Sequence, residues 1–547
     1  MSRSIDCLLI GHNEMQFDRY EEYIARMGVE SGAYRDLNLN ILWSDGKPFH
    51  LAGMYNHLSG QRLGMGEAFS ATISYLGSFL DRRGLSFDYI QSFQDEQDRL
   101  AEILTNDSVL TVAITTTYYM FVLPILEIIN FVRQYNRDVK IIVGGPYISG
   151  ICRTQPDHVK ENLFGNVIGA DIYVNSSQGE ATLVSLIQHL KEDQGIDEVP
   201  NLYIRREGKL VKTEIVRESN NISENPVNWS LFQNHIGHSV NMRTSISCPF
   251  RCSFCGFPQH AGDYQTSDIE VIAGEFSTLQ SINGIRCVNI IDDTFNVPME
   301  RFKKILRIMI DRRFNFDWIC NLRCQFLDEE TAKLMKQAGC VGVFLGIESG
   351  SQEILQHMNK KASVDQYRMG IECLREAGIL TFGSFIIGFP GETQGTAQET
   401  IEFILASGID YYRVHLWYCD PITPIWERRE QFGIAGEGFS WSHKTMTCGE
   451  AGDIIDTIFK TVRQPVWIPQ YNFDFDSLWH LLYRGMDMDS IRTFLSTFNE
   501  AVAERMQNPA NREVRTGLLE RMRGCLPKSG EMEAQTSQQS FGVDFDF

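Results

Sequence analysis

Short runs of β-branched and apolar residues alternate, through the first two hundred positions, with longer stretches whose apolar residues recur at helical spacing. The runs Cys7 to Ile10, Phe87 to Ile90, Val109 to Ile114, Lys140 to Val143 and Asp171 to Val174 predict strands. Helices are expected from about Glu67 to Arg83, Phe121 to Tyr135 and Glu180 to Leu190. This βαβ rhythm implies an α/β fold with a doubly wound parallel sheet, whose ligands lie outside the carboxyl ends of the strands. Leu202 to Val216, turning at Glu207-Gly208, predicts a hairpin and marks a domain boundary. A second rhythm then begins, with strands near Val240 to Ile246, Cys287 to Ile291, Phe316 to Asn321, Gly342 to Ile347, Thr381 to Ile387 and Tyr412 to Trp417. Six strands with intervening helices fit a partial (βα)6 barrel of TIM type, with its chemistry at the strands' carboxyl ends. The stretch from Trp426 to Arg523 reads as helical and suits a capping domain. The expected domains are therefore 1–200, a hairpin linker 201–235, a barrel 236–425, a helical cap 426–526 and a polar, disordered tail 527–547.

Composition narrows the function. The 547 residues suit two or three domains, and 43% hydrophobic with 22% charged residues is the make-up of a globular chain. A net charge of -20 opposes nucleic-acid binding. The start lacks the long apolar region of a secretory signal, so a cytoplasmic setting is expected, and with it 13 cysteines kept as thiols or metal ligands rather than disulfides. Val109 to Val132 approaches the length of a membrane span, but Thr115-Thr116-Thr117, Pro124, Glu127 and Asn130 interrupt it. A buried strand followed by a helix accounts for it, and no membrane partner is expected.

The sharpest motif is Cys248-Pro249-Phe250-Arg251-Cys252-Ser253-Phe254-Cys255, which follows the first barrel strand. A loop of this spacing can bring three thiolates onto three irons of one 4Fe-4S cube, leaving the fourth iron open to a chelating substrate. Structural zinc needs four closed ligands, and the loop supplies no fourth, with His260 the nearest alternative.

CxxxCxxC at this place resembles the radical S-adenosylmethionine (SAM) enzymes. The resemblance implies that Cys248, Cys252 and Cys255 hold the cluster, that the open iron chelates SAM, and that reductive cleavage gives a deoxyadenosyl radical able to abstract hydrogen. It also implies a flavodoxin or ferredoxin as electron donor. Phe254 matches the family's aromatic position near the adenine, with core packing an equal alternative. Asp292 and Asp293, ending the second barrel strand, match polar contacts to SAM, or else cap a helix. Arg323 after the third strand could pair with the methionine carboxylate, or form a surface ion pair. Glu348 and Ser349 end the fourth strand in a motif resembling the one that contacts the cofactor's amino group or ribose. Gly383 to Glu392 resembles the fifth-strand motif that supports the adenine, though its glycines and Pro390 also suit an ordinary turn.

In that family a Rossmann-like domain ahead of the barrel usually binds cobalamin. The corresponding segments are Thr115, Thr116 and Tyr118 after one strand, Gly144, Gly145, Pro146 and Tyr147 after the next, and Gly179-Glu180 opening a helix. Glycines there permit close backbone approach to a large flat ring, as they do in generic βα turns. The D-x-H-x-x-G motif that supplies a cobalt ligand in many cobalamin proteins is absent. His12 follows the first strand near where such a ligand would stand, but a solvated or hydrogen-bonded histidine is the favoured reading. Over about 420 residues the resemblance is to class B, cobalamin-dependent radical SAM methyltransferases. Residues 6–14, 34–40 and 441–443 resemble the PhpK-type branch of natural-product biosynthesis. The expected reaction is methylation of an unactivated carbon or a phosphinate phosphorus, on a small-molecule or carrier-bound intermediate. The rivals are cyclisation or rearrangement without methyl transfer, and a non-catalytic iron-sulfur or zinc protein.

Overall fold

The computed structural model describes residues 2–28 and 30–527, so the tail expected over 527–547 lies, after Pro527, outside the described residues. These residues form two compact units. The first takes residues up to Met15, Ala68–Pro249 and Gly256–Ile285; the second takes Gln16–Glu67, Phe250–Cys255 and the chain from Arg286 onward.

The first unit is built on seven strands: β1 (Ser4–His12), β2 (Phe87–Ser92), β3 (Ser108–Thr115), β4 (Lys140–Gly144), β5 (Ile172–Val174), β6 (Leu202–Arg206) and β7 (Lys209–Lys212). Their order is β7-β6-β5-β4-β3-β1-β2. β1 to β5 are mutually parallel, while β6 and β7 add antiparallel at one edge. The expected hairpin is thus part of the sheet, and it turns on Glu207 and Gly208, both with positive φ. That is the turn geometry that matches strand twist. β1 is interior, paired on both sides, with Leu8, Leu9 and Ile10 fully buried, which is why it reads as an unbroken apolar run. Ile10 lies opposite Ile90 on β2 and Ile114 on β3. The chain leaves β1 toward β2 on one side and returns to β3 on the other. A Rossmann-like sheet has its topological switch point where the strand order reverses in this way, outside the carboxyl ends of β1 and β3.

The second unit carries β8 (Cys287–Ile290), β9 (Asp317–Leu322), β10 (Cys340–Glu348), β11 (Leu380–Ile387), β12 (Tyr411–Leu416) and a short β13 (Val466–Trp467). They pair in parallel in that order. Helices Met299–Asp311, Glu329–Gln337, Val364–Glu376 and Gln394–Ala406 alternate with them, as expected of a barrel segment. The expected first barrel strand breaks into Ser239–Met242 and Ser245–Ile246 and is grouped with the first unit, where Ser239 and Val240 pair in parallel with Ala68 and Phe69. The carboxy-terminal part is mainly helical, with Ser477–Tyr483, Met488–Gln507 and Thr516–Gly524, and also holds a small sheet of Ala435–Glu437, Ser440–His443 and Met446–Thr447.

Residues 16–67, for which the hydrophobic pattern predicts no element before Glu67, form three short helices and a hairpin within the second unit. Arg413 of β12 ties them in. Its buried guanidinium donates to Asp36 Oδ1 at 2.5 Å and Asn40 Oδ1 at 3.2 Å, and lies 4.6 Å over the Trp467 ring. Burial lowers its pKa while the Asp36 charge opposes that shift.

Among the described residues no helix is long and apolar enough to cross a membrane; Val109 to Val132 is β3 followed by the helix Leu123–Tyr135. None of the 13 cysteines forms a disulfide.

Candidate active site

The cysteine loop joins strand Ser245–Ile246 to helix Phe257–Ala261. Its middle, Phe250–Cys255, packs into the second unit, while Cys248 is grouped with the first. The Ser253 amide donates to the Met358 carbonyl at 2.8 Å, and the Ser253 carbonyl accepts from the Ile425 amide at 2.9 Å. Asn359 Nδ2 donates to the Arg251 carbonyl at 2.7 Å. Cys252 is buried, and its Sγ accepts a hydrogen bond from Arg323 Nη2 at 2.9 Å.

Arg323, the expected partner of a carboxylate, is a hub. Its other terminal nitrogen donates to the Lys360 carbonyl at 2.8 Å, and its guanidinium stacks 3.5 Å over Phe250. Asn296 clamps its backbone, accepting from the Arg323 amide and donating to its carbonyl. The Lys360 ammonium donates to Glu348 Oε1 at 2.7 Å and lies 5.5 Å from the centre of the Phe254 ring. Phe254 in turn meets Phe389 edge-on at 6.5 Å, which links the cysteine loop to the fifth-strand motif. One network therefore connects Cys252, Arg323, Lys360 and Glu348. Lys360 is missing from the residues that the motifs single out, because Asn359-Lys360-Lys361 reads as a solvated polar turn.

Glu348 sits at a register irregularity closing β10 and has φ +68°, a region non-glycine residues seldom occupy. Gly346 is required beside it: a Cβ there would lie 2.7 Å from Glu348 Oε1 and 3.2 Å from Lys360 Nζ. Ser349 is fully buried; its hydroxyl lies 3.1 Å from Thr400 Oγ1 and accepts from the Ser351 amide. Asp292 is buried beyond the end of β8. The neighbouring Asp293 carboxyl, although solvent-accessible, is pushed up to about 7 by the protein packed around it and by the Asp292 charge.

Glu392, at the end of the fifth-strand motif, is fully buried and accepts from the Gly388 amide at 2.5 Å. Its Oε1 has no partner among the described residues, and burial pushes its carboxyl up to about 8. The folded chain therefore holds a proton that the unfolded chain releases above about pH 4.5. Folding stability contributed here falls as pH rises from about 4.5 to about 8 and is level outside that window. Glu392→Gln is expected to flatten this slope and to stabilise the protein at pH 8 by about 1–2 kcal/mol. Thermal midpoints of both proteins at pH 5 and pH 8 test this; equal pH slopes would rule it out.

In the first unit the expected segments stand at the carboxyl ends of the sheet. The Thr115 hydroxyl reaches toward the Ile10 and Gly11 carbonyls at 3.4 and 3.5 Å. The Thr116 amide and hydroxyl both donate to the Gly144 carbonyl at 2.9 Å. Gly145 has φ +114°, and a Cβ there would lie 2.7 Å from Thr116 Oγ1, so this turn admits only glycine. Pro146 and Tyr147 then start helix Pro146–Thr154. Gly179, with φ +85°, precedes helix Glu180–Lys191. Glu180 is buried; burial raises its pKa, and Arg243 lies 3.3 Å from its Oε1. Tyr118 and Met120 beyond β3 are 49% and 70% exposed, an apolar lip at the switch point. His12 ends β1 beside them. Both of its ring nitrogens are shielded and without hydrogen-bond partners among the described residues, which differs from the solvated or hydrogen-bonded histidine expected from sequence.

Residues 242–404 match the family model of the radical SAM superfamily. This stretch is a radical SAM domain. The chain is 28% identical over 304 residues to an uncharacterized methyltransferase of Pyrococcus horikoshii, a match covering 54% of this chain and 64% of that protein. It is 25% identical over 385 residues to the anaerobic magnesium-protoporphyrin IX monomethyl ester cyclase of Cereibacter sphaeroides, covering 66% of this chain and 61% of the cyclase. The chain thus spans somewhat under two thirds of the length of these two relatives. In fold it is similar to the radical SAM methyltransferase TsrM from Kitasatospora setae, solved with cobalamin and a [4Fe-4S] cluster bound. The TM-score is 0.55 at 19% identity, covering 79% of each chain. The radical SAM domain holds the cysteine loop and the Arg323–Lys360–Glu348 network.

Proposed function

We propose that the chain is a cobalamin-dependent radical SAM methyltransferase that methylates an unactivated carbon or a phosphinate phosphorus of a natural-product intermediate. The observation that carries this reading is that one chain joins a radical SAM domain to a doubly wound sheet whose switch point is walled by glycine and edged by exposed Tyr118 and Met120. Exposed apolar side chains at such a switch point suit the face of a large, flat ring. When bound, the cluster with SAM supplies hydrogen abstraction and cobalamin supplies methyl transfer; the protein's part is to bind, orient and exclude water.

In this reading Cys248, Cys252 and Cys255 hold the cluster as three thiolates. Arg323 gives the Cys252 sulfur a charge-assisted hydrogen bond, a contact that tunes cluster potential. Lys360 fixes the Glu348 carboxylate, which with Ser349 and the Asp292-Asp293 pair forms the polar wall for SAM, and Phe254 offers its ring to the adenine. Thr115, Thr116, Tyr118, Gly144, Gly145, Pro146, Tyr147, Gly179 and Glu180 line the cobalamin side. A flavodoxin or ferredoxin supplies the electron.

With iron, sulfide, cobalamin and a reductant restored, the enzyme is expected to bind cobalamin stoichiometrically. With its substrate it should form deoxyadenosine, S-adenosylhomocysteine and a product heavier by one methyl group. Absence of cobalamin binding, or of deoxyadenosine formation with the substrate, would overturn the reading. The similarity to the Cereibacter cyclase favours a second reading, cyclisation without methyl transfer. A product with no added methyl group would select it.

A further inference from the structure

We propose that His12 is the axial ligand this chain offers to cobalt, its imidazole taking the lower coordination position of bound cobalamin. This deepens the cobalamin reading above and rests on it. It does not come from a motif, since D-x-H-x-x-G is absent.

Three observations place the imidazole in this role. First, His12 is the last residue of β1, an interior strand with a neighbour on each side, at the switch point where an open α/β sheet receives its ligand. Second, both ring nitrogens are buried without a hydrogen-bond partner among the described residues. A buried polar atom left unpaired loses its hydration without return, so an imidazole kept this way calls for a partner outside the chain. Third, the rings around it are those that border the proposed cobalamin side. Tyr118 meets His12 edge-on at 5.4 Å and Tyr119 lies at 6.5 Å, while the Tyr119 hydroxyl donates to the Gly11 carbonyl at 3.3 Å. These contacts hold the ring in place without using its nitrogens.

The protonation state agrees. Desolvation pushes the His12 pKa down to about 4, with the Asp95 charge opposing it only in part. The ring is therefore neutral near neutral pH and keeps the lone pair that a metal ligand must supply. Coordination needs no redox step: one nitrogen donates its lone pair to cobalt, the other keeps its proton, and the cofactor's own base is displaced from the metal.

Electron paramagnetic resonance of the bound, one-electron-reduced cobalamin tests this directly, with the iron-sulfur cluster left oxidised and silent. Each high-field cobalt line is expected to split into three from one coordinated 14N nucleus. Growing the protein on 15N-histidine and loading unlabelled cobalamin should convert each triplet into a doublet, since only a protein histidine carries the label. His12→Gln is expected to bind cobalamin and lose the splitting. Bound cobalamin whose lines are unsplit, or whose triplet survives 15N labelling, overturns the His12 assignment and leaves the methyltransferase reading intact. Failure of wild type to bind cobalamin at all overturns both.

Discussion

Cys252→Ala is expected to bring the iron and sulfide content of the reconstituted protein down to background and to abolish deoxyadenosine formation. A three-thiolate site has no spare ligand, and its open iron is the one that must bind SAM, so two remaining cysteines cannot support the same cube. Loss of Cys252 also strips Arg323 of its sulfur acceptor and leaves a buried guanidinium held, among the described residues, through the Lys360 carbonyl and the Phe250 ring. Cys252→Ser is the conservative companion, restoring an acceptor for Arg323 without a good iron ligand. It should recover the stability of the wild-type apoprotein while remaining free of iron. A variant of either kind that keeps its iron and forms deoxyadenosine would show that the triad is not the cluster site.

Lys360→Met should be the most destabilising single change in the network. The side chains of Lys360 and Glu348 are only 5% and 9% exposed and lie 2.7 Å apart. Removing one member of a buried pair leaves an uncompensated charge, a loss of about 3–5 kcal/mol, whereas replacing both by neutral groups of similar size is often nearly neutral. Denaturant unfolding of Lys360→Met, Glu348→Gln and the double variant measures this. The double variant should regain most of what Lys360→Met loses. An unchanged midpoint in Lys360→Met would mean that the pair is hydrated in solution. Glu348→Gln should also weaken SAM binding if its carboxylate meets the cofactor, an effect separable from stability by equilibrium binding to the folded protein.

The sequence was most legible where local pattern and burial agree. β1, β3 and β4 are buried on both faces and appear as compact apolar runs; their edges fall within one to three residues of expectation. The barrel strands β8 to β11 were equally plain, because each alternates with a helix and ends in a polar motif, whereas the expected first barrel strand breaks in two. Less could be read where the deciding contact is distant in sequence. The lysine that fixes Glu348 stands 12 residues on, after a short helix, and nothing local separates Lys360 from the neighbouring Lys361. Residues 16–67 carry helices of seven to nine residues, too short for periodicity to reveal. His12 is a case of a different kind. Its identity and position were visible, but the rings that meet it, Tyr118 and Tyr119, stand more than a hundred residues away.

The pairing of Asp36 with Arg413 sets a timetable for synthesis. The two residues are 377 apart, and the segment 16–67 belongs to the unit completed only by the far end of the chain. At about 5–20 residues per second, roughly 20–75 s pass between the emergence of one partner and the other. During that interval the short helices near the amino terminus have none of their final neighbours from β12. Slowed translation ahead of Arg413 is expected to lengthen that interval and to lower the yield of folded protein.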